Sequence, residues 1–229
     1  MEIVSGIHNV DGVNGNCYLI SCGKDWALLD TGLPNNAKKI LSYVDGLKIK
    51  PSDIKTIIIT HAHIDHIGNA ATLKKITGAK IAVHQDDADF IAGRKKLVLP
   101  SSGIKLKFLL IRFLSPFFKA APVQPDILLN DKDEIAGLKV IHTPGHTPGS
   151  ICLLDSKRKV LFVGDLIRFM DGEILGPPIT MDVEQVQKSI GKIAGLAFEI
   201  MLSGHGQPLR PKAAEKVQEY YSRIYRSPA

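Results

Sequence analysis

The sequence predicts an α/β fold in which two β-sheets pack face to face with helices outside. Three observations support this. Short apolar strands alternate with amphipathic helical stretches along the whole chain. The order strands-then-helix occurs twice, once in each half, and two such halves bury their sheets best against each other. The length of 229 residues and a hydrophobic fraction of 45% allow a sizeable core.

In the first half, residues 17–21 (CYLIS) and 26–30 (WALLD) read as hairpin strands separated by residues 22–25. Residues 35–44 have helical spacing, with Ile40, Leu41 and Val44 on one face. The β-branched run at 55–60 (KTIIIT) predicts a buried strand. A helix over 68–77, a strand over 80–84 and a short helix over 85–92 follow. In the second half, strands are predicted at 138–142, 150–155 and 159–163, the last two joined by a turn at 155–158. A helix over 182–196, a strand over 198–202 and a closing helix over 212–225, entered through Pro211, complete the pattern.

Residues 93–124 break it. The segment carries Arg94, Lys95, Lys96, Lys105, Lys107, Arg112 and Lys119 without one acidic residue, and is rich in Leu and Phe. It is expected to be a cap or insertion on a single domain spanning 1–229. Residues 103–115 read as a helix that is apolar over most of its surface and stopped by Pro116. Such a helix needs a partner for its extra face: a hydrophobic substrate, a second subunit or a membrane interface. The favoured expectation is a cap that lines the substrate pocket and contributes to a homodimer.

The net charge of +6 admits an anionic partner, but a diffusely charged surface explains it as well. Cys17, Cys22 and Cys152 are odd in number and form no CxxC, which argues against a disulfide framework or a zinc knuckle and fits a reducing cytoplasm. The first ten residues have no basic-then-apolar pattern of a secretory signal. The most apolar stretch, 106–118, is too short and too interrupted by charge to span a bilayer.

The chemistry concentrates at predicted strand ends. The strand at 55–60 runs into His61, Ala62, His63, Ile64, Asp65 and His66, four metal-ligand side chains in six residues. Imidazole and carboxylate suit zinc and its neighbours. His61 and His63 point the same way on extended backbone, while Asp65 and His66 follow as the chain turns and can face a second ion. His146 lies in GHTPG, a turn enforced by Gly and Pro. Asp165 follows Gly164 at another strand end, and His205 sits in SGHG after the strand at 198–202. His142 reads as a structural histidine or one standing behind the ligands, His84 as a capped strand end rather than a third metal site, His8 as structural, and Cys17 and Cys152 as small core residues.

H-x-H-x-D-H, a His in TPGHTPG, an Asp in VGD, a His in SGHG and Asp30 in LLDTG together resemble the metallo-β-lactamase superfamily, over residues 16–208. The resemblance implies a four-layer αββα sandwich with a metal site at one edge between the sheets. It implies that His61, His63 and His146 bind one ion, that Asp65, His66 and His205 bind another, and that Asp165 bridges them. Asp30 would stand behind the ligands and fix a histidine tautomer. The cofactors implied are two divalent ions, zinc first, with iron and manganese as alternatives. Two ions about 3.5–4 Å apart share a water and lower its pKa toward about 7, so that a bridging hydroxide attacks a carbonyl or phosphoryl centre. Asp65 is then the catalytic residue that orients the hydroxide or moves its proton.

Within the superfamily the compact chain looks like the glyoxalase II-like and lactonase-like branch. Thioesters, esters and lactones are the expected substrates, small acyl compounds of hydrophobic or anionic character. A glutathione-binding helical region is not expected, since about one helix follows SGHG. The rival readings are a mononuclear-iron persulfide dioxygenase, a phosphodiesterase or nuclease of the same superfamily, and a non-catalytic scaffold. The interleaving of basic residues with Leu and Phe in 93–124 argues against nucleic acid. A complete ligand set argues against a scaffold.

Overall fold

A computed structural model describes residues 1–10, 12–96, 120–177 and 179–225. The expected helix at 103–115, and most of the expected cap, lie outside the described residues. What the structure does place is the two ends of that segment, which meet: the Val123 amide donates to Ile91 O at 3.1 Å, and Arg94 Nη1 donates to Gln124 Oε1 at 2.7 Å.

In chain order the elements are β1 (Glu2–Val4), β2 (Ile7–Asn9), β3 (Tyr18–Cys22), β4 (Asp25–Leu29), α1 (Ala37–Gly46), β5 (Ile54–Ile59), α2 (Ile64–Ile67), α3 (Ala70–Thr77), β6 (Lys80–His84) and α4 (Gln85–Ile91). Then come β7 (Ile127–Leu129), β8 (Glu134–Ile135), β9 (Leu138–His142), β10 (Ile151–Asp155), β11 (Val160–Gly164), β12 (Arg168–Met170), β13 (Glu173–Leu175), α5 (Val183–Ala194), β14 (Ile200–Ser203) and α6 (Ala213–Tyr225). Strands β1 to β7 form one sheet in sequence order, antiparallel up to β4 and parallel from β4 to β7. The second sheet has the order β14-β11-β10-β9-β8, with β14 parallel to β11. Strands β12 and β13 form a separate hairpin.

The layers follow from which neighbours each strand buries. Ile20, Leu29 and Ile58 face Val140, Leu153 and Phe162 across the space between the sheets. Their chain neighbours Leu19, Leu28, Ile57 and Ile59 point the other way, onto Ile40 and Val44 of α1 and Leu73 of α3. On the far side, Ile141, Leu161 and Val163 pack on Val186, Ile190 and Ile193 of α5 and Val217 of α6. Strands apolar on both faces are what a covered sheet requires. The result is helix–sheet–sheet–helix, as expected.

The helix expected over 68–77 is α3, which starts two residues later, at Ala70, after a separate short helix α2. α2 and α3 are separated by Gly68 and Asn69, because Gly68 packs directly on the backbone of Gly32 to Pro34, where no side chain fits. Asn69 turns its amide to the same loop, donating to Thr31 O and Leu33 O. Among the described residues no helix is long and apolar enough to cross a membrane.

Candidate metal centre

Strand pairing puts the chemistry at one end of the sandwich. Parallel neighbours β4 and β5 end at Asp30 and His61, and parallel neighbours β11 and β14 end at Asp165 and the loop of His205. The sheets are tied there by Ile151 N donating to Thr60 O at 3.0 Å. The His205 loop is held from the other half of the chain. Asn16 N donates to Gly204 O at 2.6 Å, Asn16 Nδ2 to Ser203 O and Gly206 O, and Tyr18 Oη to Ser203 O at 2.7 Å.

All seven expected residues come together. The donor atoms of His61, His63 and His146 lie within 4.8 Å of one another, as do those of Asp65, His66 and His205, and those of His61, His66 and Asp165. Asp165 touches both sides. Its Oδ2 is 3.7 Å from His146 Nε2 and 3.4 Å from His205 Nε2, and its Oδ1 is 3.5 Å from His66 Nε2. Asp65 Oδ2 is 3.0 Å from His205 Nε2.

Neighbouring groups orient the imidazoles. Asp30 Oδ2 accepts from His66 Nδ1 at 2.8 Å and from Thr60 Oγ1 at 2.7 Å. With its one proton given to Asp30, Thr60 Oγ1 accepts from His61 Nδ1 at 3.0 Å. His146 Nδ1 donates to Ile179 O at 2.6 Å. Each bond leaves Nε2 as the atom with a free lone pair. Asp30 thus fixes His66 directly and His61 through Thr60, a broader part than the single tautomer expected of it. Thr60 and the Ile179 carbonyl were missed, because nothing in the sequence ties residue 179 to residue 146.

The electrostatics divide the cluster. Burial first, then repulsion from neighbouring imidazoles, pushes His61 far down and His63 down to about 3. Burial also pushes His146 down, against the pull of Asp165. These three are neutral, as ligation requires. Burial resists ionisation of Asp165, yet His66, His205 and His146 hold it down to about 2, and Asp65 is held lower by its bond to His205 in the same way. Burial opposes a charge on His66, but Asp165 and Asp30 push it up, and the bond to Asp65 raises His205.

Whether the residues suit metal ions is tested by what is left unsatisfied. Among the described residues His63 Nε2, His66 Nε2 and Asp165 Oδ1 are buried without a hydrogen-bond partner, each at a cost of about 1–3 kcal/mol. His61 Nε2 and His146 Nε2 stand 3.1 Å apart with both Nδ1 protons committed elsewhere, so no proton lies between them. Gly204 packs so closely on Asp165 Oδ1 and His66 that no side chain fits beside them. The donor set and its orphaned atoms fit cations.

A family model described as the metallo-beta-lactamase superfamily matches residues 10–205. The chain belongs to that superfamily. Among its relatives in the metallo-beta-lactamase superfamily, the probable metallo-hydrolase YflN of Bacillus subtilis is 28% identical over 233 residues, covering 92% of this chain and 88% of that one. The hydroxyacylglutathione hydrolase GloC of Haemophilus influenzae is 30% identical over 158 residues, 66% of each chain. The class B3 di-zinc metallo-beta-lactamase LRA-12 from an Alaskan soil metagenome superposes with a TM-score of 0.66 at 25% identity, covering 97% of this chain and 92% of that one.

A separate grouping of His84, Asp86 and His142 shares no residue with the centre. His84 Nδ1 accepts from Asp86 N at 3.3 Å and caps α4, and His142 Nε2 donates to Pro148 O at 2.8 Å. The two rings stack with centroids 3.8 Å apart. His8 lies in β2 against Trp26 and Tyr43.

Proposed function

We propose that this chain is a hydrolase of acyl thioesters and related esters or lactones, working with two divalent ions, zinc in the first place. The observation that carries the reading is the meeting of two ligand groups on Asp165, with three buried donor atoms left unsatisfied. His61, His63 and His146 would hold one ion, Asp65, His66 and His205 the other, and Asp165 both. When bound, the ions supply Lewis acidity toward the acyl oxygen and a water whose pKa falls toward about 7.

The chain's own residues do the rest. Asp30 and Thr60 keep His61 and His66 in the tautomer that presents Nε2. Asp65 differs from Asp165 in exposure: its side chain is 28% exposed against 4%, so it faces the mouth. Asp65 would take the proton of the attacking water and pass it to the leaving thiol sulfur. The balance is thioester plus water to carboxylic acid plus thiol. Ile64, between His63 and Asp65, and Met170, packed at Gly206 beside His205, are exposed apolar side chains that suit an acyl group.

The superfamily relative GloC, by its name a hydrolase of acylated glutathione, supports the thioester, and the di-zinc LRA-12 supports zinc. The second ligand group, with buried His66 Nε2 lacking a partner, supports two ions over a single iron. Three free cysteines, two of them buried, support a reducing cytoplasmic setting.

The test is a substrate panel of thioesters, esters, lactones, β-lactams and phosphodiesters, run before and after chelation and zinc return, with Asp65→Asn alongside. Thioester cleavage that chelation abolishes and Asp65→Asn slows is expected. Cleavage of phosphodiesters alone, or oxygen uptake with a persulfide, overturns the proposal.

A further inference from the structure

Asp87 is a fully buried carboxylate on α4 whose hydrogen bonds, among the described residues, go to none of the seven centre residues. Its Oδ2 accepts from Ala62 N at 2.8 Å and from Thr147 Oγ1 at 2.7 Å, and its Oδ1 accepts from Gly149 N at 2.7 Å. Ala62 is the residue between His61 and His63, and Thr147 follows His146. One side chain therefore joins the two segments that carry all three imidazoles of the first group. The fit is tight: a side chain on Gly149 would come within 2.6 Å of the Asp87 amide.

Asp30 does the corresponding work on the other side, through Thr60 and His66. No bond joins Asp87 to Asp65, His66 or His205 among the described residues. Asp30 thus reaches both groups, His66 directly and His61 through Thr60, whereas the bonds of Asp87 go to the segments of the first group alone.

We propose that Asp87 is the positioning residue of the His61–His63–His146 group, setting the spacing between its two segments and hence the affinity of that group alone. This rests on the two-ion reading above. The charge matters as well as the shape. Two backbone N–H groups and a hydroxyl converge on Asp87, so an amide of the same size must point its NH₂ at either Ala62 N or Gly149 N, donor against donor. Partners of this kind change metal affinity by about 10–100-fold when lost.

The experiment is calorimetric titration of the chelator-stripped full chain with Zn²⁺ alone. The wild type is expected to show two sites. Asp87→Asn should keep one at wild-type affinity and weaken the other about 10–100-fold. Thr147→Val, which removes one of the three bonds, should weaken the same site by less. In the Asp87→Asn background, His205→Ala should abolish the surviving site and His63→Ala should not. Two unchanged sites in both single variants, or equal weakening of both sites, overturns the inference while leaving the two-ion reading intact. Should Asp87→Asn fail to fold, Thr147→Val decides. A wild type that takes up no Zn²⁺ overturns both.

Discussion

Placing one methyl group at residue 204 should empty half of the centre. Gly204 has a backbone that alanine tolerates, since its φ is not positive. It cannot retreat, because its amide donates to Gly164 O at 2.7 Å and its carbonyl accepts from Asn16 N at 2.6 Å. A Cβ there would collide with Asp165 Oδ1 and lie 2.6 Å from His66 Cε1. Real Cβ atoms do not come that close, so the carboxylate and the imidazole must move. Overpacking of this kind costs about 1–3 kcal/mol, and each kcal/mol lowers Tm by about 2–4 °C in a domain of this size. Asp165 Oδ1 and the His66 ring carry two of the three partnerless atoms of the buried cluster, so the ion they hold should weaken by about 100-fold. Elemental analysis and thermal melts with and without chelator read both effects. Gly195→Ala is the control, since its Cβ meets only Lys192 O at 3.8 Å. If Gly204→Ala keeps two ions and the wild-type rate, Asp165 and His66 as placed against Gly204 do not hold an ion and the reasoning fails.

Asp165→Ala should lose metal from one or both positions and slow turnover by about 100-fold or more, while His142→Ala, bonded to Pro148 O away from the centre, should keep metal and rate; equal losses would show His142 to be a ligand. His84 gives a pH signature: burial, then His142, pushes it down to about 4 against Asp86, Asp131 and Asp133. The unfolded chain protonates it at about 6.5, so its stabilisation is whole above that pH and is lost as pH falls toward about 4. In urea unfolding of the chelated chain, His84→Gln should flatten that decline by up to about one proton; an unchanged slope refutes the assignment.

Much of this was legible because the strands are apolar on both faces. The run Ile57, Ile58, Ile59 allows no exposed face, so a strand under helices was the one consistent reading, and its end had to carry His61. His146, Asp165 and His205 were readable as strand-end residues flanked by glycine. What stayed hidden depends on contacts across the chain. β7, β8 and the β12–β13 hairpin are two or three residues long, below the length at which periodicity speaks. The break at Gly68 and Asn69 is set by the backbone of residues 32–34, and Asp87 is one of three acids in the short helix α4, with no neighbour in the sequence to single it out. Only packing distinguishes it: Asp87 shares the buried face with Ala88 and Ile91, whereas Asp86 and Asp89 point outward.

The most direct measurement is the metal content of the chain purified without added metal. Two divalent ions per chain, zinc foremost, are expected, with one or both lost from Asp65→Ala and His66→Ala. One tightly bound iron per chain that survives both substitutions would contradict a two-ion hydrolase.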